Sequence, residues 1–312
     1  MHSFNTDSMG LSTITTPINS AEASKLRGVA LGFELLTCFV GFIACCIVHY
    51  CLKTCKLIQS GTKIQLQILF TTNFMICLFA LPSYASIEYR IMSGVQANKT
   101  SVTVFTFLFT LATKTERITV MLIAIYRMMA VCFPLKYRYW SQKKVVLLVN
   151  LIACSPIVLL QTITLFIKAD SGIETFDPNT HFMDSIMQYG FISVPTVISL
   201  IVYLVLALFM LCKKGSISPP DSCERSVRIF ILTNTLFEVP DIIMHAAKAT
   251  VDNAAFIIIH VIYRIHFALD PILFVGLNAR YRQMVYQCCS SNIRVREAVT
   301  DTKGEDTLES NC

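Results

Sequence analysis

"LIAIYRMMAVCFPLKYRYW", residues 122–140, is the stretch on which the reading of the whole chain turns. An apolar run ends at Tyr126, Arg127 follows, and Cys132-Phe133-Pro134-Leu135-Lys136-Tyr137 leads to the single tryptophan, Trp140. A guanidinium at the border of an apolar segment has two ordinary uses. It can snorkel, its stem in the apolar layer and its head among polar headgroups. It can also donate to the carbonyls of a partner that enters a cleft. The rest of the chain decides between them.

The composition calls for a lipid solvent. Of 312 residues, 54% are hydrophobic and only 15% charged, where a soluble domain carries about a quarter. Mean hydropathy is +0.60. The net charge of +6 contains no acidic or basic block of the kind that binds nucleic acid, so none is expected as a partner. The polar start, residues 1–25, lacks the basic end and short apolar core of a cleavable signal peptide. The first span is therefore expected to serve as its own targeting signal.

A helix needs about 20 apolar residues to cross the hydrocarbon layer. The candidates run over 28–52, 66–92, 102–127, 143–167, 188–212, 226–249 and 253–277, which makes seven. The runs are continuous, unlike the short alternating strands of a membrane barrel. Basic residues set the orientation. Lys53, Lys56 and Lys63 follow the first span, Lys136, Arg138, Lys143 and Lys144 the third, Lys213, Lys214, Arg225 and Arg228 the fifth, and Arg280, Arg282, Arg294, Arg296 and Lys303 the seventh. The other side holds only Lys25, Arg27, Arg90, Lys99, Lys168 and Lys248. This predicts an all-α multi-pass membrane protein with its N-terminus outside. Residues 1–27 form an outer tail, 28–277 a seven-helix bundle, 278–289 an amphipathic helix on the inner membrane face, and 290–312 a disordered cytoplasmic tail. Asn98, in the sequon Asn98-Lys99-Thr100, then lies in the first outer loop as a glycosylation candidate.

With the topology in place, "AIYRMMAVCFPLKY" resembles the end of the third helix and second inner loop of rhodopsin-like G-protein-coupled receptors. There an acidic-Arg-Tyr triplet precedes a hydrophobic pair, Cys and Pro-Leu-basic-Tyr. Here the triplet reads Tyr126-Arg127-Met128, so the arginine is kept and the acid is lost. Pro195 and Tyr203, Pro240, "DPILF" (270–274) and "LNARYRQMVYQCC" (277–289) follow in the family's order. The sequence departs from the family in having no outer-surface cysteine pair, Glu238 two residues before Pro240, and no tryptophan in the fourth span. This erosion, with the trailing "PLKYRYW", is most similar to nematode serpentine chemoreceptors of the class V or gamma-type branch.

The resemblance implies a chemosensory receptor of the plasma membrane, and of a sensory cilium, that binds a small extracellular cue and activates a heterotrimeric G protein. It implies coupling residues at Arg127, Tyr126, Tyr203, Pro134 and Leu135, and a resting lock on Arg127 from elsewhere, such as Glu224. It also implies an activation switch at Asn73, Pro240, Asp270, Pro271 and Phe274, and palmitate on Cys288 and Cys289. The family's span-two aspartate and span-seven asparagine stand exchanged here as Asn73 and Asp270, so the two are expected to touch, directly or through water.

The residues add their own argument. Lys114, Arg117, Glu238 and Arg264 fall inside spans, where each charge costs about 2.5–3.5 kcal/mol on insertion scales. They must pair or face a watery cavity. Lys114 and Arg117 share a helix face and need acids from other helices: Glu34, Glu238 or Asp241. Glu238 is expected to face Arg264. Asp241 with His245, and His260 with Arg264, each lie four apart. The ligand-cavity candidates are thus Lys114, Arg117, Glu238, Asp241, His260 and Arg264. No tight metal-ligand cluster, catalytic motif or cofactor site is visible, and Arg264 cannot form a retinal Schiff base. The competing readings are an ion or proton channel using the buried charges, an intramembrane enzyme using the same carboxylates, and a peptide-type receptor.

Overall fold

The computed structural model describes residues 20–54, 59–95, 99–170, 189–212, 237, 239–243, 254–277, 279, 281–283 and 285–286. Among them the chain is helical, without strands. The principal helices are α1 (Ser20–Thr54), α2 (Ser60–Met75), α3 (Leu81–Met92), α4 (Lys99–Cys132), α5 (Pro134–Trp140), α6 (Lys143–Asp170), α7 (Val194–Cys212) and α8 (Ala254–Leu277).

Prolines shape two of the rods. One π-helical turn, Ile76–Ala80, joins α2 to α3 just before Pro82. A second, Tyr189–Ser193, leads into α7 just before Pro195. A proline has no N–H for the carbonyl four residues back, and its ring clashes with that oxygen. A wider turn moves the carbonyl aside and keeps the rod continuous. At Phe133 (φ −136°, ψ 64°) the chain leaves α4. Pro134 then opens α5, where a missing N–H costs nothing.

Five segments are long and apolar enough to cross a membrane: Ser24–Thr54, Ser60–Arg90, Lys143–Phe166, Tyr189–Phe209 and Ala254–Leu277. The first two begin earlier than their apolar patterns suggest, because helical hydrogen bonding continues through the polar residues before each run. Only 22% of the apolar window of α6 and 28% of that of α7 is buried. Leu148, Leu151, Ile152, Leu159 and Phe166 on α6, and Val197, Ile201, Leu204 and Leu208 on α7, are exposed. Apolar surface of this extent needs a lipid solvent, and it marks the chain as membrane-embedded.

Helix α4 has 34 residues, about 51 Å at 1.5 Å per residue. It is not among the five because Lys114, Glu116 and Arg117 crowd one turn at its middle. All three are buried, at 3%, 0% and 2% exposure. They face the bundle, where α4 touches α2, α3, α6 and α7. The expected sixth span, 226–249, is described only at 237 and 239–243, and His245 and Glu224 lie outside the described residues.

The central core gathers Val48, Leu66, Leu69, Phe70, Val120, Ile123, Phe274 and Tyr281. Phe274 stacks on Phe70 at 5.0 Å and on Tyr281 at 5.1 Å between ring centres. Tyr281 and Val285, two members of the expected amphipathic stripe, are helical and pack on this core. Cys288 and Cys289 lie outside the described residues, as does Asn98.

Candidate functional site

A cavity of about 440 Å³ opens between α1, α3 and the first turns of α8. Its lining mixes charge, from Arg27 and Glu34 on α1, Glu88 on α3 and Arg264 on α8, with apolar side chains such as Met92, Phe256 and Val261 on the same helices. The charged residues form an alternating row. Arg264 makes an ion pair with Glu34 and a second, longer one with Glu88 at 3.7 Å. Its guanidinium lies 4.3 Å from the centre of the Tyr84 ring. Glu88 is in turn within electrostatic reach of Arg27. Tyr84 and Glu88 are four apart on α3, so one helix face presents both to α8.

This row gives Arg264 acids that the sequence pattern did not assign to it. The acids that Arg264 meets are Glu34 and Glu88, on the first and second membrane segments, whereas Glu238 lies outside the described residues. The physical reason is the packing of α1 along α8, which brings a carboxylate from far away in sequence against the guanidinium. His260 lines the same cavity and reaches Asp241 at 3.7 Å.

Lys114 and Arg117 do not line the cavity. Lys114 donates to the Gln161 side-chain oxygen of α6 at 3.2 Å. Arg117 lies 5.0 Å from the centre of the Tyr263 ring. Glu34, one of the three acids expected to serve them, pairs with Arg264.

Deeper in the bundle, Glu116 meets His266 Nε2 at 3.3 Å. With Asp270 they bring three ligand-type atoms within 4.8 Å of one another, all buried. Among the described residues this is the group that could hold a metal ion, and the sequence pattern did not assemble it. The His266 Nδ1 faces the Tyr263 carbonyl, which fixes the ring. Asn73 is fully buried, yet its side chain has no hydrogen-bond partner among the described residues. A direct Asn73–Asp270 hydrogen bond is therefore not formed, although α2 and α8 touch.

At the other end, Arg127 is half-buried and sits before the last turn of α4, which runs on to Cys132. Tyr126 beside it is buried, and its hydroxyl has no hydrogen-bond partner among the described residues. Tyr203 on α7 packs against the central core. Leu135 at the start of α5 is 90% exposed. The α5 segment is anchored on the start of α2: Tyr137 Oη and Thr62 Oγ1 are 3.2 Å apart, and Gln59 donates to Ser141 Oγ at 2.8 Å. Gly61 lies so close to the Ser141 backbone that a Cβ there would collide with it.

Of the cavity candidates, His260 and Arg264 line the cavity and Asp241 reaches His260; Arg27, Glu34, Tyr84 and Glu88 are further lining residues. A close approach between α1 and α8 has no signature in a single sequence. The Tyr84–Glu88 spacing, a phenol and an acid on one face near the end of an apolar segment, was the available signal.

No protein-family model matches this chain, and no curated protein matches it.

Proposed function

We propose that the chain is a seven-helix receptor of the plasma membrane. It binds a small extracellular chemical cue and passes the signal to a heterotrimeric G protein. In this reading α4 and the 237–243 segment belong to two further spans beside the five, and the N-terminus is outside. The 277–289 segment forms an eighth helix on the inner lipid face, with Cys288 and Cys289 lipidated, and Asn98 carries glycan. The chain performs no covalent chemistry and needs no cofactor. The motifs resemble nematode serpentine chemoreceptors most.

One observation carries the reading. The continuous α2–α3 rod has the inner-loop motif at its start and the charged cavity at its far end. Thr62 touches Tyr137 of "CFPLKY". Met92, some 45 Å away at 1.5 Å per residue, lines the cavity. A cavity lined by a few placed charges among apolar side chains suits a small ligand. An exposed Pro134-Leu135 step beside a half-buried arginine suits a docking helix of a partner. Ligand and partner would then act on opposite ends of shared helices, as a transmembrane signal requires.

The test is expression with a promiscuous α-subunit and a screen of small volatile and water-soluble compounds. Arg127→Ala should abolish ligand-driven nucleotide exchange and leave the amount at the cell surface unchanged. Normal signalling by that variant would overturn the coupling role. Buried Glu116, His266 and Asp270 favour a channel as the second reading. Current through the chain without any G protein would support it instead.

A further inference from the structure

We propose that Glu116, His266 and Asp270 hold one divalent transition-metal ion, zinc by ligand class, that ties α4 to α8. Such a site stands independently of the receptor reading, and its ion takes part in no reaction.

His266 and Asp270 are four apart on α8, so one helix face presents an imidazole and a carboxylate together. Glu116 brings a second carboxylate from α4. The three ligand atoms lie within 4.8 Å of one another, and all three residues are fully buried. His266 Nε2 and Glu116 Oε1 are 3.3 Å apart. Ligands at about 2.0–2.1 Å from a tetrahedral zinc stand about 3.3–3.4 Å from each other.

The imidazole is set as a ligand needs it. A backbone carbonyl only accepts, so with Nδ1 against the Tyr263 carbonyl a neutral ring carries its proton on Nδ1. Nε2 then turns a lone pair toward the Glu116 carboxylate, acceptor against acceptor. A metal ion between them turns that opposition into two bonds. The carbonyl contact is the outer partner that a ligating histidine ordinarily has.

Two neighbours narrow the class of ion. Cys77, 1% exposed, brings a thiol within electrostatic reach of both carboxylates. Nitrogen and sulfur donors select zinc over the hard cations magnesium and calcium. Asn73, fully buried one turn before Cys77, has a side-chain amide without a hydrogen-bond partner among the described residues. Zinc has no geometric demand of its own and accepts such a mixed surrounding. Helix α8 packs chiefly along α1. Among its ties to α4 are Arg117 on the Tyr263 ring and Glu116 on His266, and the ion strengthens the second.

The experiment uses the purified full-length chain in lipid nanodiscs, produced in zinc-supplemented cells and washed with a chelator that strips surface metal. Plasma mass spectrometry gives the metal content, and X-ray absorption at the zinc edge gives the ligands. The parent should retain one zinc per chain, bound by one imidazole and by carboxylate oxygens at about 2.0–2.2 Å. His266→Gln and Asp270→Asn should each lower the retained zinc roughly tenfold or more. His49→Gln, whose native ring meets Phe74 instead, should keep it. A parent free of zinc overturns the site: a protonated imidazole, or sodium alone, then fills the place. Zinc retained equally by the His266 and Asp270 variants, or a spectrum of several histidines, also overturns it and marks surface metal. If neither variant folds, the absorption spectrum of the parent decides.

Discussion

Arg264 and Arg127 sit at the two ends of the bundle and are handled in opposite ways. Arg264 is buried, paired with Glu34 and Glu88 and laid on Tyr84. Arg127 is half-buried and has neither an ion pair nor a hydrogen bond among the described residues. A guanidinium in the apolar interior must be compensated or the helices will not pack around it. One near a helix end can reach headgroups or a partner. The comparison separates an arginine that is compensated inside the bundle from one that sits near a helix end without an ion pair among the described residues. Tyr126 beside Arg127 is a buried ring, and at that border the arginine needs no neutralising neighbour to be tolerated.

The largest effect should come from the paired end. Arg264→Ala leaves the buried Glu34 carboxylate without its ion pair, which costs about 3–5 kcal/mol. Thermal unfolding in detergent and the amount at the cell surface both report it. Exchanging the two charges, Glu34→Arg with Arg264→Glu, should recover part of the loss; additive damage would mean that the pair is not a unit. Next is the Asn73–Asp270 site, where the hydrogen-bond deficit of Asn73 meets a carboxylate one helix away. Asn73→Asp and Asp270→Asn should each impair signalling, and the double change should restore much of it. The coupling should be about 0.5–3 kcal/mol, and its absence would make the reciprocal exchange a coincidence. Tyr84→Leu removes the ring beneath Arg264 and keeps an apolar side chain, so a smaller loss of about 0.5–2 kcal/mol is expected in the same unfolding measurement. The smallest shift in stability belongs to Arg127→Ala, within about 0.5 kcal/mol. If that variant unfolds as readily as Arg264→Ala, the contrast between the two arginines collapses.

Local order was legible because it is written in local terms. The apolar runs at 143–167, 188–212 and 253–277 coincide closely with α6, the π turn plus α7, and α8. Pro82, Pro195 and Pro134 mark where the helices widen or restart, since a missing N–H acts on its own neighbours. The α4 region shows the limit. Lys114, Glu116 and Arg117 identify a helix that buries charge, but not what meets it: Gln161, His266 and the Tyr263 ring come from α6 and α8.

The sequence by itself determined that this chain needs lipid, that its long segments are helical, and that its interior holds ionisable groups requiring compensation. It also placed an arginine and a Pro-Leu step at one end. Only the tertiary structure decided which charges compensate which. Glu34 meets Arg264 because α1 lies along α8, and Glu88 joins them because the π turn before Pro82 carries α3 onward beside α1. Ion pairs between helices depend on rotation and lateral neighbours. Hydropathy and spacing within one chain fix the faces of each helix, but they do not determine which face of which neighbour it meets.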